Sequence, residues 1–206
     1  MFDIPPPDPG FEFFIASNGM SKGARQTDGP QAIPKAWLQF GDVQVGGQWK
    51  NVTSSSAKGE ASAFLNATRK LGPWQLSGGA AYKFQTGVTG DPDSRSWEFS
   101  GGATRKIGTV ALRANAIFSP DDLGGTRRSL YLEGGPAFEL GKTLKLSANV
   151  GHRSRVNGAD YTSFNVGMTQ TLWKRVAIDV RYYDTNRSTL DDIYRSRLVF
   201  SGRMSF

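Results

Sequence analysis

Cysteine is absent from the 206 residues and histidine occurs once. The chain therefore has no disulfide framework and no thiolate site, and a metal would have to be held by one imidazole and carboxylates. No metal and no cofactor are expected. Also missing is any apolar run near the ~18 residues that a membrane-spanning helix requires, which excludes a helical membrane protein. No convincing helical pattern follows a Gly-rich phosphate loop. The basic residues are interleaved singly with apolar ones instead of forming a patch with stacking aromatics, so no nucleic-acid partner is expected despite a formal net charge of +7. The opening stretch, Met1 to Gly10 with Pro5, Pro6, Pro7 and Pro9, lacks the charged and apolar regions of a secretory signal peptide, and reads as the start of a mature form carrying an added Met.

Turn residues are abundant. Short breaks at Phe40-Gly41-Asp42, Leu71-Gly72-Pro73, Ile107-Gly108, Leu140-Gly141-Lys142 and Trp173-Lys174 recur at hairpin-sized spacing. Between them lie longer polar breaks: Arg25 to Pro30, Ser54 to Gly59, Thr86 to Ser94, Ser119 to Thr126, Arg155 to Asp160 and Asn186 to Asp192. Short turns alternating with long loops, joined by segments of about 9 to 11 residues, are the pattern of an outer-membrane β-barrel with short periplasmic turns and longer extracellular loops. Counting segments gives an all-β fold: a transmembrane antiparallel up-and-down β-barrel of about twelve strands, an even number with both ends periplasmic. Residues 1-10 are read as a Pro-rich periplasmic segment or plug and residues 11-206 as one barrel domain in the outer membrane.

Each segment splits with period two into an apolar and a polar set. Leu144, Leu146, Ala148 and Val150 oppose Lys145, Ser147, Asn149 and Gly151, and Val176, Ile178, Val180 and Tyr182 oppose Ala177, Asp179, Arg181 and Tyr183. A soluble sandwich alternates in the same way. Three features favour a bilayer. Aromatics gather near segment ends, at Trp37, Phe40, Trp49, Trp74, Phe84, Trp97, Phe118, Trp173 and Tyr194, as in interfacial girdles. The polar set mixes long charged residues with Gly, Ser and Ala, as a filled lumen would. The last segment, Asp192 to Phe206, alternates up to a terminal Phe, with Tyr194, Leu198, Phe200, Met204 and Phe206 on one face. It resembles the C-terminal signal read by the bacterial barrel-assembly machinery, which makes that machinery an expected partner through Phe206, beside outer-membrane lipid and lipopolysaccharide.

The first hairpin carries Lys22-Gly23-Ala24-Arg25-Gln26-Thr27-Asp28-Gly29, followed by Pro30-Gln31-Ala32-Ile33-Pro34. The first stretch resembles the basic-Gly-x-x-Gln-Ser/Thr-Asp-Gly pattern of the TorF-like putative porin family. The second departs from that family's Pro-Ala-hydrophobic-Gln order. The resemblance covers about the first 40 residues in motif terms and implies an outer-membrane location more than an activity.

With the polar face inward, the lumen would be lined by Lys35, Lys50, Lys83, Arg113, Lys145, Arg181, Arg195, Arg197 and Arg203 against Glu98, Glu133 and Asp179, with Glu12, Glu60 and Glu139 on the same face. Arg195 and Arg197 are expected one above the other on the last strand. A barrel of this size is wider than an eight-stranded filled one and narrower than an open 16-stranded porin. Guanidinium groups in such a lumen suit carboxylates and phosphates, so the expected function is a narrow channel for small anionic solutes, similar to the narrow porins for acidic oligosaccharides. Inward bulk at Phe14, Phe64, Tyr131 and Tyr183, or the Pro-rich leader, would instead close it as a structural barrel. A third reading is a lipid-modifying hydrolase, since His152 and Ser154 share the lipid face as in outer-membrane phospholipases. Arg155 stands where those families have Asn, and only Asp160 or Asn157 could orient the base.

Overall fold

The computed structural model describes residues 6–54, 56–90 and 93–206. Its strands are β1 (Asp8–Ala16), β2 (Met20–Ser21), β3 (Ala24–Arg25), β4 (Gln31–Phe40), β5 (Val43–Asn51), β6 (Gly59–Leu71), β7 (Trp74–Thr86), β8 (Arg95–Ile107), β9 (Val110–Asp122), β10 (Arg127–Glu139), β11 (Leu144–Arg155), β12 (Tyr161–Thr171), β13 (Val176–Thr185) and β14 (Arg197–Ser205). All but β2 and β3 pair in order into a closed antiparallel barrel of twelve strands. Closure leaves no backbone edge to be solvated in hydrocarbon.

The seam joins β1 to β14 from Glu12↔Ser205 to Ala16↔Ser201. It continues outward through Ser17, whose N–H donates to the Phe200 carbonyl at 2.8 Å. At the other end the Phe206 N–H donates to the Phe11 carbonyl at 2.8 Å, and the two rings lie 6.0 Å apart. Three turns are two-residue hairpins, closed by Phe40↔Val43, Leu71↔Trp74 and Ile107↔Val110. Each places a glycine with positive φ first, Gly41 at 56°, Gly72 at 57° and Gly108 at 61°. That hand matches the strand twist, which is why these Gly-x pairs are legible as turns in the sequence.

The register fixes the two faces. Phe13, Leu38, Val45, Leu65, Leu76, Phe99, Leu112, Leu132, Val150, Phe164, Ile178 and Phe200 point outward and are exposed, forming an apolar band around the barrel. The opposite set faces the lumen. It is rich in buried Ser, Asn and charged side chains, including Lys50, Glu60, Ser62, Ser96, Ser119, Ser147, Ser163 and Asn165. An interior so polar beneath an apolar exterior inverts the layout of a soluble protein and suits a lipid-facing wall.

Five expectations are corrected. The final strand starts at Arg197, because Asp192–Tyr194 forms a 3₁₀ turn in which the Asp191 carboxylate accepts from the Ile193 N–H. Arg195 therefore lies at the end of that turn with its side chain 69% exposed, and it does not stack above Arg197 on the lumen wall. Tyr194 belongs to no girdle: it is buried against Tyr161 and Ala24 inside the outer mouth. Trp37 pairs with Gly10 and points inward, where a Cβ at position 10 would lie 2.3 Å from its indole. Glycine at that position makes room for the ring. The strand ladder also begins at Asp8, so residues 8–10 of the Pro-rich segment are part of the wall. The plug expected of residues 1–5 lies outside the described residues.

Candidate pore lining

The ladder between β1 and β4 ends at Ala16↔Gln31. Residues 17–30 are therefore one long loop, although only Arg25 to Pro30 reads as a break in the sequence. Its base is tied down locally. The Gly19 carbonyl accepts from the Gln26 N–H at 2.8 Å, the Gly19 N–H donates to Thr27 Oγ1 at 2.7 Å, and the Thr27 hydroxyl donates to the Gly29 carbonyl at 2.6 Å. Beyond this base the β2–β3 hairpin, paired through Met20↔Arg25 and Ser21↔Ala24, turns into the barrel instead of out to solvent.

Its tip is Lys22-Gly23, both at positive φ, 51° and 78°. The Lys22 ammonium reaches Glu98 Oε2 at 2.7 Å and Asp122 Oδ2 at 3.4 Å, with its side chain 7% exposed. The Lys22 carbonyl accepts from the Tyr161 hydroxyl at 2.6 Å. Gly23 lies against the wall so closely that a Cβ would fall 2.2 Å from that of Ser163. A non-glycine residue in the left-handed region persists where its surroundings over-determine it, and these three contacts do so for Lys22.

Around the tip runs a belt of alternating charge from the outer half of the wall. Lys50 meets Glu60 at 3.1 Å, Lys83 meets Glu98 at 2.7 Å, and Arg153 meets Asp122 at 2.7 Å. Ser129 donates to Asp122 at 2.7 Å, and Lys50 donates to Gln26 Oε1 of the loop at 2.9 Å. A charge is tolerated in such a confined place only when paired and hydrogen-bonded, which these mostly are. The buried exceptions among the described residues are Glu60 Oε1, Gln85 Oε1 and Arg153 Nε, which lack an aligned hydrogen bond. All three residues line one cavity of about 360 Å³ above the hairpin. A polar cavity with unsatisfied donors and acceptors suits water or a polar solute.

Below the hairpin a second cavity, of about 440 Å³, is lined by Arg113, Glu133, Asn149, Asn165, Arg181 and Tyr183 together with Met20, Lys22 and Gly23. Arg181 is fixed as a fork: Nη1 donates to Asn165 Oδ1 at 2.8 Å, and Nη2 to Ser147 Oγ at 2.9 Å and Asp179 Oδ2 at 3.1 Å. Thr169 in turn donates to Asp179 at 2.7 Å. Arg113 and Lys145 make no ion pair or side-chain hydrogen bond among the described residues, and Lys145 feels the positive charges of Arg113, Arg203 and Arg181 together with the opposing charge of Asp179. Arg203 pairs with Glu12 at 3.7 Å. Lys35 instead rests over the rings of Trp37 and Phe64, at 5.2 and 4.8 Å.

The sequence-derived lining thus sorts into layers. Lys50, Lys83 and Glu98 form the outer belt; Lys35, Arg113, Glu133, Lys145, Asp179, Arg181 and Arg203 line the inner half. Arg197 sits at the outer rim, its guanidinium donating to the carbonyls of Asp192 and Arg195. Only Arg195 leaves the lining. Lys22, Asp122 and Arg153 carry no such signal in the sequence: Asp122 falls in the polar break Ser119 to Thr126, and nothing local announces that a loop lysine will turn inward. His152 and Ser154 do face outward, paired with Leu132 and Leu130. His152 Nδ1 lies 3.1 Å from Thr162 Oγ1, while Asp160 accepts from the Arg155 N–H. Among the described residues no base-orienting carboxylate joins them, so the geometry of a catalytic triad is not assembled there.

Solved structures similar to this chain are outer-membrane barrels. A KdgM porin superposes with a TM-score of 0.69 over 96% of this chain and 99% of its own at 10% identity. A NanC porin gives 0.60 over 96% and 98% at 10% identity, and an outer-membrane channel of Pseudomonas putida F1 gives 0.60 over 98% and 96% at 10% identity. At such identity the likeness speaks for the fold. No curated protein matches the sequence. The model of the family described as Gram-negative porin matches residues 8–190, which is nearly all of the barrel. The chain is a porin-like outer-membrane channel, and it belongs to the Gram-negative porin family.

Proposed function

We propose that this barrel passes small anionic solutes through a narrow, cationic lumen and carries out no catalysis. The observation that carries the reading is the pair Arg113 and Lys145, two inward cations with no ion pair or side-chain hydrogen bond among the described residues, in a part of the wall where Lys145 meets the field of three cations, Arg113, Arg203 and Arg181, against the one carboxylate of Asp179. Structural cations that merely fill a barrel come paired, as the outer belt does. Unpaired ones exert a field on whatever enters. One similar structure, a KdgM porin, was solved in complex with disordered oligogalacturonate. A carboxylate-bearing solute of that kind would suit guanidinium forks such as Arg181.

The resemblance to the TorF-like family rests on Lys22–Gly29, which runs from the inward tip of the first loop back to its base. Phe206, bonded to Phe11 at the seam, suits an assembly signal read before closure. Lipid and lipopolysaccharide are the natural neighbours of the apolar band.

The test is the reversal potential of the refolded protein in a planar bilayer across a KCl gradient. Anion preference that falls in Arg113→Ala with Lys145→Ala supports the proposal. Cation preference, or no change in the double variant, overturns it.

A further inference from the structure

We propose that the β2–β3 hairpin is the constriction of this channel and that Lys22 is the residue at which passage is decided. The inference rests on the channel reading but concerns a part of the chain that is not wall. Met20 and Gly23 face the inner cavity, Ser21 and Ala24 the outer one, and Lys22 lines both. A solute crossing from one cavity to the other must pass this tip or displace it.

The residues are suited to that place. Glycine at 23 is required twice, by its φ of 78° and by the contact with Ser163. Alanine at 24 fits under Tyr161 and Tyr194. Lysine at 22 is the opposite case: it occupies a backbone conformation that glycine would adopt without strain, so its side chain is what the position needs. That side chain supplies a cation to two wall carboxylates, Glu98 and Asp122, that already pair with Lys83 and Arg153. The wall charges are therefore satisfied without Lys22, and withdrawing it strands no carboxylate. A structural cross-link that could not be released would be built the other way, as the sole partner of its carboxylate.

The lobe is also hinged. Its base is closed by the Gly19–Gln26 bond and by Thr27, and Gln26 is tied to Thr53 and Lys50 of the neighbouring wall. The lobe itself is held by Lys22, by the Tyr161 hydroxyl and by the Arg25 pairs to Asp28 and Asp192 at 2.6 and 2.9 Å. Swinging it out breaks these polar contacts, uncovers the small cluster of Ala24 with Tyr161 and Tyr194, and leaves the barrel ladder intact.

Because Gly19 and Gln26 are already bonded, replacing Met20–Arg25 by an Asn-Gly turn removes the lobe and closes the loop in a two-residue hairpin. Single-channel conductance of this variant is compared with the unaltered protein, folding of both being verified by heat-modifiable migration. A several-fold rise in conductance is expected. Lys22→Cys, the only thiol in a cysteine-free chain, is then treated with an anionic methanethiosulfonate, which reverses the charge at the tip. Anion preference should fall on modification. If both forms conduct equally and the thiol adduct changes neither conductance nor selectivity, the assignment fails while the channel reading stands. If neither form conducts although both are folded, the hairpin is not what closes the barrel, and both readings fall.

Discussion

Lys22 at the tip of an outer loop and Glu98 in the outer half of the β8 wall hold one another at 2.7 Å, with side chains 7% and 15% exposed. Glu98 Oε2 holds Lys83 at the same distance, so one carboxylate serves two ammonium groups. The partners are thus unequal. Glu98→Gln takes the nearer anion from two enclosed lysines at once, leaving Lys22 with Asp122 at 3.4 Å and Lys83 with Glu60 at 3.9 Å, and should destabilise the barrel by about 3 kcal/mol, two hydrogen bonds to charged groups at about 1.5 kcal/mol each. Lys22→Met leaves Glu98 with Lys83 and should cost about 1 kcal/mol, the worth of a dispensable hydrogen bond. Urea unfolding in detergent, followed by tryptophan fluorescence, reads both. Equal losses would mean that the carboxylate is not shared.

Gly23 offers a test of the hairpin alone. Gly23→Ala meets both a left-handed backbone and the Ser163 side chain, and should displace the lobe at a local cost of about 1 to 3 kcal/mol. Barrel stability should hardly change, whereas conductance should rise. Adding Ser163→Gly relieves the collision but not the φ of 78°. The pair should therefore recover part of the original conductance. Full recovery would show that space alone decides, and no recovery that the backbone does.

The alternation of Leu144, Leu146, Ala148 and Val150 with Lys145, Ser147 and Asn149 was enough to fix both faces of β11, because a membrane wall leaves no third option for a side chain. The same holds for the Gly-x turns, whose geometry glycine itself dictates. What escaped the sequence was whatever depends on contacts distant along the chain. Trp37 has the period of an inward residue but the chemistry of a girdle residue, and only the space opened by Gly10 on the neighbouring strand settles it. Arg195 keeps the alternation of β14 yet precedes it, since Asp191 captures the Ile193 N–H and starts a 3₁₀ turn instead. Lys22 is the strongest case: its partners lie on β8 and β9, and no local pattern marks a loop that folds inward.

Arg195 also supplies a control for the selectivity experiment. Its side chain is exposed and pairs among the described residues with Asp192, at 3.5 Å, so Arg195→Ala should leave the reversal potential unchanged. Arg113→Ala and Lys145→Ala should each lower anion preference, and their effects should be less than additive, since each group sits in the other's repulsive field. A response to Arg195 as large as that to Arg113 would place the selectivity filter in the outer loops.

The face assignments predict opposite fates for two tryptophans. Trp97 lies on the outside, tilted against Tyr82 at 5.1 Å and stacked with Phe99 at 6.3 Å between ring centroids, and should meet acyl chains. Trp37 lies inside beneath Lys35. In variants keeping one tryptophan each, reconstituted into vesicles, brominated acyl chains should quench Trp97 strongly and Trp37 weakly. Iodide should do the reverse, because the cation over the Trp37 ring draws the anion toward it and the lumen admits water. Iodide quenching of Trp37 also reports on the hairpin: when iodide is supplied only from the outer side, replacing Met20–Arg25 by Asn-Gly should raise its rate. An unchanged rate would mean that iodide already passes the tip freely, and that Lys22 does not limit access to the inner half.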